Sequence, residues 1–367
     1  MTMPNRRDFF KTVAGATAGI FATGVDIADV EGGILQAGPA RRREVFVGRR
    51  RVKVVDVHGH FIEPTELDVI KDTNLAGNIR NNLNGPLVLG PGRLRALDEL
   101  GIDVQALSHQ GGWWYGADRE LARRIVTVQN EKLAEWCAAH ADRFVGLASV
   151  ALQHPDLAAE QLEEAVKRFG MRGVGIAGHV AGEDPSLPKF DPFWAKAEQL
   201  GVLVFVHPVG ADNVLREGAL RGRGDLGNII GNPLETTVFF SRMIFDGTLD
   251  RFPGLKICGA HAGGYLPSYL GRTDVACDTR ANANCANKKH PRDYFKGQIL
   301  ADSMVFSEEG LRHLVAEMGV SQVVYGTDMP FNWPANVDLI LRASFLSDAD
   351  KEAILGGNLI KLLRLPA

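Results

Sequence analysis

The chain has 367 residues, a formal charge of −3, 45% hydrophobic and 23% charged residues. That balance is ordinary for a globular protein and excludes a collagen-like, low-complexity or highly charged disordered chain. The small net charge also removes any general attraction to nucleic acid or to an anionic membrane surface.

The first 40 residues stand apart from the rest. Asn5-Arg6-Arg7-Asp8-Phe9-Phe10-Lys11 resembles the twin-arginine export consensus, with paired arginines, two following aromatics and a lysine. A weakly apolar stretch rich in Ala and Gly follows, from Val13 to Val25. It is too short to span a membrane, which takes about 20 apolar residues. Residues 1–40 are therefore expected to be a signal and leader, cleaved between Ala22 and Ala40. The mature chain would be periplasmic and free of the membrane; the alternative is a plain N-terminal extension. Arg41-Arg42-Arg43 and Arg49-Arg50-Arg51 lack interleaved aromatics. They read as a leader flank or a solvated surface, and no nucleic-acid partner is expected.

From residue 45 to 367 the pattern predicts one domain of alternating strands and helices. Apolar, β-branched runs predict strands near 52–58, 102–107, 144–149, 172–177, 202–207, 255–260, 298–302 and 322–327. Between them, helical periodicity predicts helices over 119–139, 157–169, 192–200, 233–246 and 307–318. Eight strands alternating with helices point to an α/β fold, a closed (β/α)8 TIM barrel, ahead of an open doubly wound sheet. No GxGxxG or Walker-type loop follows any run, so nucleotide chemistry has no support. Residues 61–92 read as an irregular insertion after the first strand, of the kind that shapes a site at this end of a barrel.

Four of these runs end in residues that hold or use a metal. Val57-His58-Gly59-His60 closes the first, His207 the fifth, His261 the sixth and Asp328 the eighth. Strand ends converge on one face of a barrel, and polar residues there read as catalytic. Alternate residues share a face, so His58 and His60 can bind one ion together. Three imidazoles and a carboxylate, His58, His60, His207 and Asp328, suit one divalent ion, with Zn²⁺ favoured and Mn²⁺ the alternative. No lysine lies in the fourth run, 172–177, so a carboxylated lysine bridging two ions is not available there. His261 precedes Ala262-Gly263-Gly264 and is expected to move protons, the alternatives being a further ligand or a structural role. Trp113-Trp114-Tyr115 follows the second run and either stacks on a planar substrate or packs as a loop cluster. His179 is a candidate substrate contact. His109, His140, His154, His290 and His313 read as structural or exposed. Cys277 and Cys285 share a polar loop where a disulfide can form in an oxidising compartment; Cys137 and Cys258 read as buried hydrophobes.

Several segments carry a more specific likeness. Asp56-Val57-His58-Gly59-His60, Phe205-Val206-His207-Pro208, Phe252-Pro253-Gly254-Leu255-Lys256, His261-Ala262-Gly263-Gly264, Gly271-Arg272 and Gly326-Thr327-Asp328-Met329-Pro330-Phe331 occur in that order. With them the chain resembles the amidohydrolase superfamily, in the branch of the aminocarboxymuconate-semialdehyde-decarboxylase-like metal-dependent decarboxylases. The resemblance implies a barrel of the metal-dependent hydrolase type, with His58, His60, His207 and Asp328 on one ion. It implies His261 as the base that activates metal-bound water; in a hydrolytic reaction His261 or Asp328 would shuttle protons. It also implies that Arg272 binds substrate carboxylate, across the interface of a homodimer. The expected reaction is non-oxidative decarboxylation of a small unsaturated or aromatic carboxylic acid, the alternative being hydrolysis of an amide, lactone or related bond. The chain departs from the pattern where Val209-Gly210 replaces an aromatic residue after His-Pro. A second substrate arginine of the family has only Arg80 as its candidate.

Overall fold

A computed structural model describes residues 42–109 and 113–366; the twin-arginine-like segment within residues 1–40 lies outside the described residues. Eight strands follow one another along the chain: β1 (Val55–Phe61), β2 (Val104–His109), β3 (Phe144–Ala148), β4 (Gly173–Ala177), β5 (Leu203–His207), β6 (Lys256–Gly259), β7 (Ile299–Asp302) and β8 (Val323–Val324). Each pairs in parallel with the next, in sequence order. β1 and β8 then meet: Gly59 bridges Met329 in parallel, Val57 N donates to Tyr325 O at 3.0 Å, and His60 N donates to Met329 O at 2.8 Å. The sheet is thereby closed into the expected (β/α)8 barrel.

Helices α1 (Pro91–Leu100), α2 (Arg119–Ala139), α3 (Pro155–Lys167), α4 (Asp191–Leu200), α5 (Asn232–Phe245), α6 (Leu270–Thr279), α7 (Glu308–Met318) and α8 (Val337–Arg342) form the outer layer. Their ends are written locally. Asp118 caps α2 by accepting from Leu121 N at 2.9 Å, and Ser307 caps α7 by accepting from Gly310 N at 3.1 Å; such side chains satisfy orphan amides of the first turn. Gly101 and Gly201 end α1 and α4 at φ 75° and 59°, the left-handed region where glycine has no steric cost. Among the described residues no helix is long and apolar enough to cross a membrane.

Parallel strands are covered on both faces, so they carry continuous apolar runs. Val55, Val57, Ala106, Leu147, Phe205 and Ala260 fill the barrel interior, closed at one end by Leu359 and Leu363. Residues such as Val204, Val206, Ile257, Phe239 and Phe240 pack between sheet and helices.

The structure corrects several expected boundaries. β1 runs from Val55 to Phe61 rather than over 52–58, so His58 and His60 lie inside the strand. Its register shifts between Asp56 and Gly59. Plain alternation from Val55 and Val57 would send His58 outward; the bulge turns it in, a known way to re-aim a side chain. β2 likewise starts and ends two residues later than expected. β8 is only two residues long, and Asp328 stands beyond its ladder. The insertion after β1 contains short helical turns, Pro64–Glu66, Leu67–Ile70 and Gly77–Asn82. A small antiparallel pair, Phe46–Val47 with Arg50–Arg51, precedes the barrel. In the basic cluster Arg42 and Arg51 converge on Asp103, while Arg43 pairs with Asp338 and the exposed Arg50 with Glu352; Arg41 lies outside the described residues. Cys277 and Cys285 form a disulfide, whereas Cys258 is buried and Cys137 half-buried as free thiols.

Candidate metal centre

The four residues read as ligands meet at the C-terminal mouth of the barrel. Donor atoms of His58, His60, His207 and Asp328 all lie within 4.8 Å of one another, and all four residues are buried. His58 Nε2 and His60 Nε2 are 2.9 Å apart. Asp328 Oδ1 lies 3.2 Å from the first, 3.0 Å from the second and 4.0 Å from His207 Nε2. A tetrahedral ion with bonds of about 2.0–2.1 Å spaces its ligand atoms by roughly 3.3 Å, which falls within this spread. Both ring nitrogens of His207 and Oδ1 of Asp328 are buried without a hydrogen-bond partner among the described residues. Buried polar atoms are normally satisfied, so these three orphans ask for a cation. The group fits a single divalent metal ion.

The charges tell the same story. Burial pushes His60 down to about 4, although Asp328 pulls the other way. Burial, with repulsion from His60 and His58, holds His207 well below its ordinary value. Both rings are therefore neutral at pH 7, as metal ligation requires. Asp328 is held far below the carboxylate range: burial opposes ionisation, but the close imidazoles of His58, His261 and His60 outweigh it. His58 alone rises, to about 10; burial lowers it, and Asp328 and Asp302 more than reverse that. His58 thus takes the positive charge that two buried carboxylates demand. A dication would supply that charge instead and displace the proton.

Residues given no role in the sequence reading hold the ligands in place. Asp302, fully buried at the end of β7, accepts from His58 Nδ1 at 2.7 Å. It therefore directs the His58 Nε2 lone pair toward the cluster, the usual role of a carboxylate behind a ligating imidazole. The same carboxylate accepts from His261 N at 3.0 Å and Ala262 N at 2.8 Å, fixing the turn that carries His261. His261 and Ala262 adopt φ of 54° and 58° there. Asp56 ties β1 to the β8 end, accepting from His58 N at 2.9 Å, Gln105 Nε2 at 2.7 Å, Thr327 N at 3.1 Å and Thr327 Oγ1 at 2.6 Å. Arg93 then braces Gln105 and the His60 carbonyl, at 2.9 and 2.6 Å. A signal for Asp302 was available: Gln298-Ile299-Leu300-Ala301-Asp302 is one more apolar run ending in a carboxylate.

The remaining candidates divide. His261 Nε2 lies 3.5 Å from Asp328 Oδ2, beside the cluster, and its side chain keeps some exposure. Trp113 is buried, stacks on His207 at 6.4 Å between ring centroids and donates to Gly175 O at 3.0 Å. Trp114 faces elsewhere: its indole donates to Glu66 Oε2 at 3.0 Å. His179 is half-buried and accepts from Gly182 N at 3.0 Å; burial lowers its affinity for a proton. Arg272 is exposed on α6, and its side chain has no ion pair or hydrogen bond with another described residue. Arg80 donates to the Lys71 carbonyl at 2.6 Å. His109, far from exposed, is buried against Glu66. Phe331 brings its ring to 5.7 Å from that of His60 and is itself partly exposed, which gives the mouth an apolar wall.

Comparison with known proteins agrees with this geometry. The family model described as amidohydrolase matches residues 55–365. A 2-amino-3-carboxymuconate-6-semialdehyde decarboxylase of Dictyostelium discoideum is 33% identical over 283 residues, 74% of this chain and 76% of the relative. A gamma-resorcylate decarboxylase of Rhodococcus jostii is 32% identical over 293 residues, covering 74% and 87%. Among solved structures, 5-carboxyvanillate decarboxylase from Sphingomonas paucimobilis superposes with a TM-score of 0.79 at 25% identity, over 86% of this chain and 100% of that one. A dihydroxybenzoic acid decarboxylase from Polaromonas, with bound manganese and the inhibitor 2-nitroresorcinol, gives a TM-score of 0.73 at 27% identity, over 86% and 97%.

Proposed function

The chain belongs to the amidohydrolase family, and from that premise we propose that it is a metal-dependent non-oxidative decarboxylase of a small aromatic or unsaturated carboxylic acid. The observation that carries the reading is the buried cluster of His58, His60, His207 and Asp328 with His261 beside it. The decarboxylase relatives support loss of CO₂ over hydrolysis of an amide or lactone.

His58, His60, His207 and Asp328 would hold the ion. Zn²⁺ suits three imidazoles and a carboxylate, and the manganese of the Polaromonas relative supports Mn²⁺ as the alternative. When bound, it supplies Lewis-acid stabilisation of negative charge on the substrate. Decarboxylation breaks one C–C bond, releases CO₂ and adds one proton to the carbon that bore it. His261 is the group that moves this proton; its backbone is held by Asp302 and its Nε2 faces Asp328. Trp113 and Phe331 offer apolar surface to a planar substrate and keep water from it. The same reading places Arg272, exposed and unpaired, on substrate carboxylate within a homodimer, and the mature enzyme in the periplasm, where the Cys277–Cys285 disulfide is at home.

The test is turnover of the metal-loaded protein in H₂¹⁸O against aromatic and unsaturated acids, esters, lactones and amides. 2,6-Dihydroxybenzoate and 5-carboxyvanillate belong in the panel. Metal-dependent CO₂ release without ¹⁸O in the organic product is expected. Metal-dependent ¹⁸O incorporation without CO₂ would overturn decarboxylation in favour of hydrolysis.

A further inference from the structure

Adjacent indoles at the site mouth face two different environments. Trp113 lies over the His207 ring, with an interplanar angle of 19°. Trp114, next in the chain, has φ 48° and donates to Glu66. Positive φ is uncommon for a bulky side chain and persists only where the surroundings enforce it.

Glu66 supplies that enforcement. It sits in the loop after β1, 0% exposed. Its Oε1 accepts from His109 Nε2, and its Oε2 accepts from Trp114 Nε1 and Gln129 Nε2, each at 3.0 Å. The donors come from the end of β2, from the segment beyond it and from α2. One carboxylate therefore grips the chain where it leaves β2, at His109, and again at Trp114, immediately after Trp113. Hydrogen bonds to a charged acceptor are stronger than neutral ones, and a buried carboxylate is tolerable only with its donors in place. His109 pairs with Phe61, the neighbour of His60 in β1, and packs on its ring, but among the described residues neither Glu66 nor His109 contacts a side chain of the metal-ligating cluster. Their effect on it must pass through intervening residues.

We propose that Glu66 is a positioning residue: by anchoring Trp114 and His109 it sets the Trp113 indole against His207 and so shapes the aromatic subsite of the substrate pocket. Trp113 is then the substrate contact and Trp114 its anchor, so the two tryptophans have different roles. The substrate side of this inference rests on the proposed decarboxylase reading; the placement of Trp113 does not.

Two variants test it, Glu66→Gln and Trp114→Phe, the second keeping an aromatic ring and removing only the N–H. Three readouts are taken. The near-UV circular dichroism assigned to Trp113, by difference from Trp113→Phe, is recorded without ligand. The dissociation constant of 2,6-dihydroxybenzoate for the metal-loaded protein is measured by calorimetry. Metal affinity is measured by chelator competition. In both variants the Trp113 band collapses, binding of the probe weakens about tenfold, and metal affinity stays within about twofold. A folded Trp114→Phe protein that keeps the Trp113 band overturns the proposal, as does one that loses probe and metal binding together. If the wild type does not bind the probe, the decarboxylase reading suffers, and the Trp113 band still decides the positioning role.

Discussion

Replacing Asp302 by Asn keeps the side-chain shape and puts an NH₂ group where a carboxylate oxygen accepts two hydrogen bonds. The carboxylate accepts from His58 Nδ1 at 2.7 Å and His261 N at 3.0 Å through Oδ2, and from Ala262 N at 2.8 Å and Met304 N at 3.2 Å through Oδ1. An amide oxygen can take over Oδ1, but the NH₂ group then faces two donors. The backbone N–H of His261 cannot change, whereas His58 can. It would move its proton to Nε2, the atom 2.9 Å from His60 Nε2 and 3.2 Å from Asp328 Oδ1, where a metal ligand must offer a lone pair. Losing such a partner of a ligating histidine costs about 10–100-fold in metal affinity, equivalent to roughly 1.4–2.7 kcal/mol. Competition with a chromophoric chelator, for Zn²⁺ and Mn²⁺ separately, measures this directly, with circular dichroism as a check on folding. A folded Asp302→Asn protein that binds both ions within twofold of wild type would refute the orienting role.

Three further outcomes are expected. His261→Ala should keep its metal and lose about 10²–10⁴-fold in turnover, the range for a general acid or base; unchanged turnover at full metal occupancy would remove His261 from the mechanism. Burial pushes Glu235 up to about 8, against hydrogen bonds from Gly210, Val209 and Gly178, from an ordinary value of 4.5. The folded chain then holds a proton that the unfolded chain releases, so stability falls as pH rises from about 4.5 through about 8. Glu235→Gln should lack that decline, and parallel melting-temperature profiles of the two proteins from pH 4 to 9 would contradict the assignment. A Cβ on Gly59 would stand 2.4 Å from Gln105 Cδ. Gly59→Ala should therefore cost about 1–3 kcal/mol in chemical denaturation, and an unchanged midpoint and slope would show that Gln105 yields freely.

Much of the barrel was legible because its signals are local. The β-branched runs, the helical period over Arg119–Ala139 and the His or Asp closing a run depend on neighbours a few residues away. The bulge in β1 was not legible, since Val55 to His60 alternates equally well without it; only pairing with β2 and the bridge from Gly59 to Met329 show where the register shifts. The hairpin before the barrel was hidden by its arginines, which become strand and ion-pair residues only when Asp103 and Glu352 come near.

The site divides along the same line. His58, His60, His207, His261 and Asp328 stand out in the sequence because a polar residue at the end of an apolar run is a local contrast. Asp302, Glu66 and Glu235 do not announce partners, because those partners are distant in the chain: Asp302 serves His58 from 244 residues away. Local sequence determined which side chains could bind a metal. Barrel closure decided which carboxylate stands behind which imidazole, because the partners of a buried charge depend on which strand ends become neighbours when the sheet closes.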